Sequence, residues 1–317
     1  MDLSNCTTVT AFTLVGLPHF WGTNIISFAV VLLLYLLCIT GNGLIIAMVS
    51  VDRQLQKPMY FFLSNLSLME SGHITAFIPK MLVNSLAGKN TICFYCCMAQ
   101  LYFYFLFGVS EFFVISLMSF DRYLAICHPL RYNTIMTSSI CLKLAVAAWF
   151  GGFFSILFQM IMLLRLPFCN SNMIDHYYCD SGAVLRIAGG DTHIIEALSF
   201  LITVAVVLGS MLCTLVSYIF IISTILRIPS ASGQWRAFST CASHLTVASI
   251  LYGSVLFIYL RPTVLNSSFS IIKTVSVLNT IVTPVLNPFI YTIRNNEFKD
   301  AVRKALGRKS KSSYGKL

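Results

Sequence analysis

The residues of this chain that could do chemistry are a few charged side chains set in long apolar stretches. Asp121 and Arg122 stand side by side at the end of a long stretch in which Glu111 is the only charged residue. A charge inside hydrocarbon costs several kcal/mol, so we expect the Asp121–Arg122 pair at a membrane–water boundary. An Arg in that position is also the ordinary positive flank of a membrane helix, and the pair alone therefore specifies no function.

Two further carboxylates, Glu70 and Glu111, are predicted near mid-membrane on adjacent helices. At 1.5 Å per residue along a helix, Glu111 lies about 15 Å from Asp121. Like charges that are close together cannot both stay ionised without a partner, so the two acids must share a proton or a cation. We hypothesise a sodium ion at Glu70 and Glu111, aided by Ser71 or Asn287. A shared proton with a structural role is the alternative.

The composition excludes a soluble globular protein. The chain has 317 residues, of which 57% are hydrophobic and only 10% are charged, whereas soluble domains carry about 25% charged residues. The net charge of +10 follows from where Lys and Arg lie, because 15 of the 21 fall in segments predicted to be cytoplasmic. This bias places the N-terminus outside the cell and accounts for the positive charge without a nucleic-acid partner.

The uncharged stretches predict an all-α integral membrane protein, a seven-transmembrane helix bundle. We expect residues 1–22 to be an extracellular N-terminus and residues 23–294 to be the transmembrane domain. Its helices are predicted at 23–51, 58–86, 92–127, 140–164, 194–227, 236–261 and 270–294. The predicted connections include a long outer loop at 165–196 and a short cytoplasmic loop at 227–236.

The two ends of the chain have different predicted roles. Asn5 opens an Asn-x-Thr triplet in the extracellular N-terminus and is a candidate for N-glycosylation. Residues 295–317 are predicted to form a cytoplasmic amphipathic helix and tail, with Phe298 and Val302 on one face and Lys and Arg around it. Such a helix lies on the anionic lipids of the inner leaflet. A frayed basic tail is the alternative.

Several motifs occur in order along these segments, and together they resemble one family. They are PMYFFLSNLS from Pro58, MSFDRYLAICHPLRY from Met118, LPFCNSNMIDHYYCDS from Leu166, Ser217-Tyr218, RAFSTCASHL from Arg236 and PVLNPFIYTIRN from Pro284. The pattern resembles the odorant (olfactory) receptors among the rhodopsin-like, class A, G-protein-coupled receptors. It looks most like their tetrapod-type (class II) branch.

The resemblance implies a plasma-membrane receptor, not an enzyme and without a cofactor, that binds a small volatile and activates a stimulatory, olfactory-type G protein to raise cyclic AMP. A non-olfactory class A receptor for another small lipophilic ligand is the alternative. A retinal-binding receptor would need a Lys in the middle of the seventh helix, where only Lys273 is near. An amine receptor would have a carboxylate where this chain has Tyr104.

The resemblance also implies roles for residues at the cytoplasmic side of the bundle. Arg122 is expected to couple the ligand site to the G protein, with the hydroxyls of Tyr218 and Tyr291 receiving it when the sixth helix swings outward. The residues expected to take part in coupling or activation are Asp121, Arg122, Tyr123, Tyr218, His244, Asn287, Pro288 and Tyr291.

A ligand pocket is predicted in the outer half of the bundle, from helical spacing and family position. Its predicted lining is Tyr104, Phe105, Gly108, Val109, Phe112, Ile202, Val206, Tyr252, Val255, Leu256, Tyr259, Val277 and Thr280. These residues would enclose an apolar space that has hydroxyl groups but no charge, so the ligand should be small, neutral and mostly apolar. Tyr252 is predicted to link the pocket to the cytoplasmic motifs.

The cysteines near the outer membrane surface are candidates for disulfides. The resemblance implies a bond between Cys97 at the start of the third helix and Cys179 in the second outer loop. Gly189 stands where the family has a third loop cysteine, so the family partner of Cys169 is absent. We expect Cys169 to be free or paired with Cys93 or Cys96.

Overall fold

The computed structural model describes residues 9–15, 24–87, 90–168, 172–260, 278–294, 296–305 and 307. Most of these residues are helical. The α-helices among them are α1 (Asn24–Val51), α2 (Pro58–Ala87), α3 (Phe94–Cys127), α4 (Pro129–Ile135), α5 (Ser138–Leu163), α6 (Ser181–Ile187), α7 (His193–Leu226), α8 (Ala231–Leu260), α9 (Thr283–Arg294) and α10 (Asn296–Ala305). A π-helical turn, Leu278–Val282, precedes α9.

The long helices α1, α2, α3, α5, α7, α8 and α9 form the predicted bundle, with α3 in contact with α2, α5, α7 and α8. Among the described helices, α1, α3, α5 and α7 are long and apolar enough to cross a membrane, and α8 and α9 contain shorter apolar stretches. Large apolar side chains remain exposed on the outside of the bundle, among them Phe154, Phe200 and Ile219. Exposed apolar surface of this kind suits contact with lipid tails.

Most helix starts lie within two residues of the predictions, and that of α8 differs by five. α8 begins at Ala231 instead of 236, because Ser230 Oγ accepts a hydrogen bond of 3.1 Å from the N–H of Gly233 and so supports the first turn. The cytoplasmic loop is therefore shorter than predicted. α3 begins at Phe94 instead of 92, since the preceding residues belong to a strand. The predicted start of the seventh helix, at 270, lies outside the described residues.

A small sheet covers the outer end of the bundle, where the prediction had only an N-terminal arm and a loop. The strand β1 (Ala11–Leu14) pairs antiparallel with β2 (Thr91–Cys93) and parallel with β3 (Met173–Ile174). Phe12 is fully buried, and its ring lies 5.7 Å from Phe94 and 5.4 Å from Phe168 between ring centroids. The N-terminal segment is thus held against α3 and the second outer loop.

Helices α1 and α9 meet at two residues that suit a close approach. Pro288 has no N–H, which leaves the carbonyl of Pro284 without its helical partner. Asn42 on α1 donates to that carbonyl at 3.4 Å, and such side-chain hydrogen bonds between helices stabilise membrane bundles. A Cβ at Gly41 would lie 2.9 Å from the Cβ of Pro288. Glycine at 41 therefore permits the contact.

The predicted amphipathic helix is present as α10, directly after α9. Phe298 and Ala301 are buried in the cytoplasmic core. Lys57, in the first cytoplasmic loop, donates to both carboxylate oxygens of Glu297 at 2.8 Å, and the Tyr60 hydroxyl donates to one of them at 3.0 Å. Burial alone would raise the pKa of Glu297, but these hydrogen bonds and the Lys57 charge bring it below its ordinary value.

Candidate ligand-binding site and cytoplasmic contacts

A cavity of about 230 Å³ lies inside the bundle, with walls from α2, α3, α5, α7, α8 and α9 and a roof from the second outer loop. Nine of the thirteen residues predicted to form the pocket line it. They are Tyr104, Phe105, Gly108, Val109, Phe112, Ile202, Val206, Val255 and Thr280. The cavity reaches from Tyr178 at the outer end to Asn287, and therefore extends deeper than the outer half of the bundle.

Of the other four predicted lining residues, two do not line the cavity and two lie outside the described part of the chain. Tyr252 is buried behind the cavity wall, with its ring 5.8 Å from that of Phe112. Leu256 is partly buried and does not line the cavity. The Tyr259 side chain and Val277 lie outside the described residues.

The prediction of a lining without charge is wrong. Glu70, His73, Glu111 and Asp180 all line the cavity. The prediction considered only the third, fifth, sixth and seventh helices, and so it omitted the face of α2 and the loop that folds over the mouth. His73 could have been found from its spacing, because it lies one helical turn after Glu70 on the same face.

The second outer loop closes the cavity with side chains that the prediction did not assign. The Tyr178 hydroxyl donates to the Tyr104 hydroxyl at 3.2 Å, and the two rings stack with centroids 4.9 Å apart. Asp180 lines the cavity and also caps α6, accepting from the N–H of Ala183 at 3.0 Å. Four more polar residues in the wall were missed: Gln159, Ser199, Thr203 and Thr283.

The two buried carboxylates each have a separate partner. Glu111 Oε1 lies 3.0 Å from Nδ1 of His73, and Glu70 accepts a short hydrogen bond from the amide of Asn287. Ser71 donates to the carbonyl of Ser67 at 2.8 Å and is not among the residues that line the cavity. Among the described residues, no group of three or more His, Cys, Asp or Glu side chains is arranged to hold a metal ion.

A disulfide joins Cys97 on α3 to Cys179 in the second outer loop, the pair that the resemblance implied. Gln100, one turn further along α3, strengthens the same connection. Its Oε1 accepts from the N–H of Cys179 at 2.9 Å, and its Nε2 donates to the carbonyl of Ala76 at 3.1 Å. The loop is thereby tied to both α2 and α3.

A second disulfide joins Cys93 to Cys96. Of the two alternatives predicted for Cys169, pairing with Cys93 or Cys96 is therefore wrong, because those two cysteines are bonded to each other. Cys169 itself lies outside the described residues. Gly189 still contacts the start of the loop, since its N–H donates to the carbonyl of Pro167 at 2.6 Å.

At the cytoplasmic end of α3, Arg122 is paired with its neighbour. Its guanidinium donates to Asp121 Oδ2 at 3.0 Å and 2.5 Å. The Tyr132 hydroxyl on α4 donates to the other oxygen of Asp121 at 2.7 Å. Burial and the adjacent Asp121 carboxylate raise the pKa of Tyr132 above its ordinary value, so the hydroxyl keeps the proton that it donates.

The other predicted coupling residues have different partners in this structure. The Tyr218 hydroxyl on α7 lies 2.8 Å from Nδ1 of His244 on α8. The buried hydroxyl of Tyr291 has no hydrogen-bond partner among the described residues. Tyr123 pairs with Nε2 of His128 at 3.0 Å. The structure thus shows Arg122 with Asp121, and shows neither Tyr218 nor Tyr291 bonded to it.

A chain of contacts connects the cavity wall to this region. The ring of Phe112 contacts Tyr252, and the Tyr252 and Thr214 hydroxyls are 3.2 Å apart. Ser119 lies two residues before Asp121 on α3, and its hydroxyl donates to the Thr214 hydroxyl at 3.1 Å. Tyr252 therefore lies between the cavity and the cytoplasmic end of α3.

The similarity of this chain to known proteins agrees with its helices and motifs. The family model described as "Olfactory receptor" matches residues 31–309. The chain belongs to the olfactory receptor family. It is 53% identical over 304 residues to Olfactory receptor 6X1 of Homo sapiens, covering 96% of this chain and 97% of that protein.

Two other relatives give similar coverage. Olfactory receptor 6T1 of Homo sapiens is 45% identical over 307 residues, covering 97% of this chain and 95% of that protein. Olfactory receptor 287 of Rattus norvegicus is 46% identical over 302 residues, covering 95% and 97%. These matches confirm the family inferred from the motifs. This receptor is accordingly a multi-pass protein of the plasma membrane, and its family is one of G-protein-coupled receptors, not of enzymes.

Proposed function

We propose that this receptor binds a small, neutral, mostly apolar odorant in the cavity and activates a stimulatory, olfactory-type G protein that raises cyclic AMP. The observation that supports this most directly is the cavity itself. Its wall includes apolar side chains such as Val109, Phe112, Val206 and Val255, and its carboxylates Glu70 and Glu111 already have partners in Asn287 and His73. Burying a further, unpaired charge there would cost several kcal/mol, which disfavours an ionised ligand.

The proposed output runs through Tyr252 and α8. A ligand against Phe112 changes the packing of Tyr252, whose hydroxyl is bonded to Thr214. Movement of α8 would then separate His244 from Tyr218. A ligand can drive this change only by the difference in its affinity for the two arrangements.

The proposed coupling step transfers Arg122 from Asp121 to new partners. Once α8 moves outward, the hydroxyls of Tyr218 and Tyr291 become available to accept from the guanidinium. The side chain then extends toward the G protein. The position of Arg122 at the cytoplasmic end of α3, only partly buried, supports this role.

We also propose, as part of the same mechanism, that a sodium ion at Glu70 and Glu111 favours the inactive arrangement. The oxygen atoms there suit such an ion, and Oδ1 of Asn287 is buried without a hydrogen-bond partner in the described part of the chain. His73 competes for Glu111, which the sequence had not indicated. If replacing sodium with a large organic cation leaves the ligand response unchanged, the shared proton is the better explanation.

The function is tested by a dose–response screen of a volatile library in cells that report cyclic AMP. The receptor is tagged at its N-terminus so that surface expression is measured in the same cells, and direct activation of adenylyl cyclase serves as the positive control. We expect neutral, mostly apolar compounds to raise cyclic AMP. If only carboxylates or amines are active, the proposed pocket chemistry is wrong.

A further inference from the structure

One nitrogen atom in the cavity wall is unsatisfied. His73 lines the cavity and is buried, with 9% of its surface exposed. Its Nδ1 lies 3.0 Å from Oε1 of Glu111. Its Nε2 is buried and has no hydrogen-bond partner among the described residues. A buried polar atom without a partner is unfavourable, and in a cavity wall it marks a place for a ligand group.

The ring of His73 is held in a defined orientation. Its centroid lies 4.5 Å from that of Tyr104, with the rings nearly perpendicular at 87°. On another side, a Cβ at Gly108 would lie 3.4 Å from Cε1 of His73. The contact with Glu111 supplies a third constraint. An anchor fixed in this way can discriminate between ligands by the direction of a single hydrogen bond.

The partner of Nδ1 determines what Nε2 can do. A carboxylate only accepts hydrogen bonds, so Nδ1 donates the proton to Glu111 when Glu111 is ionised. In a neutral imidazole the other nitrogen, Nε2, then has a lone pair and no proton. It can accept a hydrogen bond but cannot donate one.

We propose that Nε2 of His73 accepts a hydrogen bond from a hydroxyl group of the ligand, and that the ligands of this receptor are small apolar alcohols or phenols. This rests on the proposed function, since it assigns the ligand class of the same cavity. The hydroxyl lies at the end of the cavity near Glu111, and the hydrocarbon part lies against Val109, Phe112 and Val206. Glu111 is a positioning residue, because it sets the proton of His73 and does not itself hold the ligand.

The test uses ligand pairs that differ only in the donor. A panel of short-chain alcohols and alkylphenols, each with its methyl ether, is assayed by cyclic AMP response at matched surface expression. An ether keeps the oxygen and the apolar body but has no proton to donate, so Nε2 stays unpaired. We expect each active alcohol to be at least about tenfold more potent than its ether, the factor that corresponds to one buried hydrogen bond.

Four variants separate the anchor from general packing. His73→Phe should remove the difference between alcohol and ether, whereas His73→Gln, which still offers an acceptor, should keep part of it. Glu111→Gln should reduce the difference in potency between alcohol and ether. The amide can donate to Nδ1 as well as accept from it, so it also permits the His73 tautomer with the proton on Nε2. Val206→Ala is the matched control, and it should change the potency of both members of a pair by the same factor.

The outcomes distinguish this inference from the function on which it rests. Equal potency of alcohol and ether in the wild type, or an unchanged ratio in His73→Phe, contradicts the anchor. A receptor that responds in the broad volatile screen but to no alcohol or phenol also contradicts it, while the proposed function stands. If a surface-expressed receptor responds to nothing in either set, both are wrong.

Discussion

The hydroxyl of Tyr218 and Nδ1 of His244 are 2.8 Å apart, and this contact joins α7 to α8. Nε2 of the same histidine lies 3.2 Å from the carbonyl of Ile115 on α3. His244 is fully buried. One imidazole thus connects α3, α7 and α8, and the Tyr218 hydroxyl is bonded to it and not to Arg122.

Removing this connection should favour the active arrangement. We predict that His244→Phe raises cyclic AMP in the absence of ligand, because α8 loses its contacts with α3 and α7. Tyr218→Phe should instead reduce the response to agonist, since the proposed coupling step uses its hydroxyl as a partner of Arg122. Basal and agonist-stimulated cyclic AMP at matched surface expression measure both effects.

Thr40 provides the control, because its exposed hydroxyl donates to the carbonyl of Leu36 within α1 at 2.6 Å. Thr40→Ala should leave the basal level unchanged. If His244→Phe reaches the surface with normal basal activity, the histidine does not restrain α8.

Tyr252 should affect efficacy more than potency. Its hydroxyl bonds to Thr214 behind the cavity wall and does not line the cavity. We predict that Tyr252→Phe lowers the maximal response while changing the half-maximal concentration less than threefold, about 0.6 kcal/mol. Concentration–response curves measure both quantities. A loss of potency with an unchanged maximum would place Tyr252 in the binding site instead.

The Cys97–Cys179 disulfide should be the more important of the two for stability. It spans a sequence separation of 82 residues, against 3 for Cys93–Cys96. On the chain-entropy model, closing the longer loop contributes about 4 to 5 kcal/mol. We predict that Cys97→Ser lowers the melting temperature of the purified receptor and its surface expression, and that Cys93→Ser has a smaller effect.

Non-reducing peptide mapping checks the same pairing directly. A free Cys97, or a bond from Cys97 to any other cysteine, would contradict it. The double variant Cys97→Ser with Cys179→Ser should be no less stable than either single variant.

The Lys57–Glu297 pair should contribute modestly to the docking of α10, and its effect should depend on pH. Both side chains are more than half exposed, so we expect at most about 1 kcal/mol. The pKa of Glu297 is lower in the folded protein. The contribution is therefore complete above the ordinary glutamate pKa and is lost as the pH falls from there through the lowered value.

Thermal unfolding of the purified receptor across that pH range measures this effect. Lys57→Glu should lower the melting temperature, and adding Glu297→Lys should restore much of the loss. Arg303, which pairs with Asp300 on the exposed side of α10, supplies the control, since Arg303→Ala should change little. If the double variant Lys57→Glu with Glu297→Lys melts no higher than Lys57→Glu alone, the two side chains do not interact.

Much of the fold followed from the sequence because its signals are local. Apolar length and the positions of Lys and Arg indicated the helices and their orientation, and the motif from Met118 placed the Asp121–Arg122 pair. The strand Ala11–Leu14 could not be predicted in this way. It pairs with residues near 91 and near 173, and such distant pairings have no short-range pattern.

In the candidate site, too, the features set by a single helix could be predicted from the sequence, whereas contacts between helices could not. The spacing of Tyr104, Gly108 and Phe112 predicted that they share one side of α3, and all three line the cavity. The partner of Glu111 could not be obtained from spacing, because it depends on how α2 is rotated against α3. That rotation brings His73 to Glu111.

The most direct test of the account is agonist-stimulated nucleotide exchange on a purified stimulatory G protein, using membranes that carry either the wild-type receptor or Arg122→Ala. The agonist is the most potent neutral compound from the volatile screen, and the two receptors are matched for amount. We predict that the wild-type receptor accelerates nucleotide exchange. The Arg122→Ala receptor should still bind the agonist but should not accelerate exchange. Equal acceleration by the two receptors, or none by the wild type at saturating agonist, would contradict it.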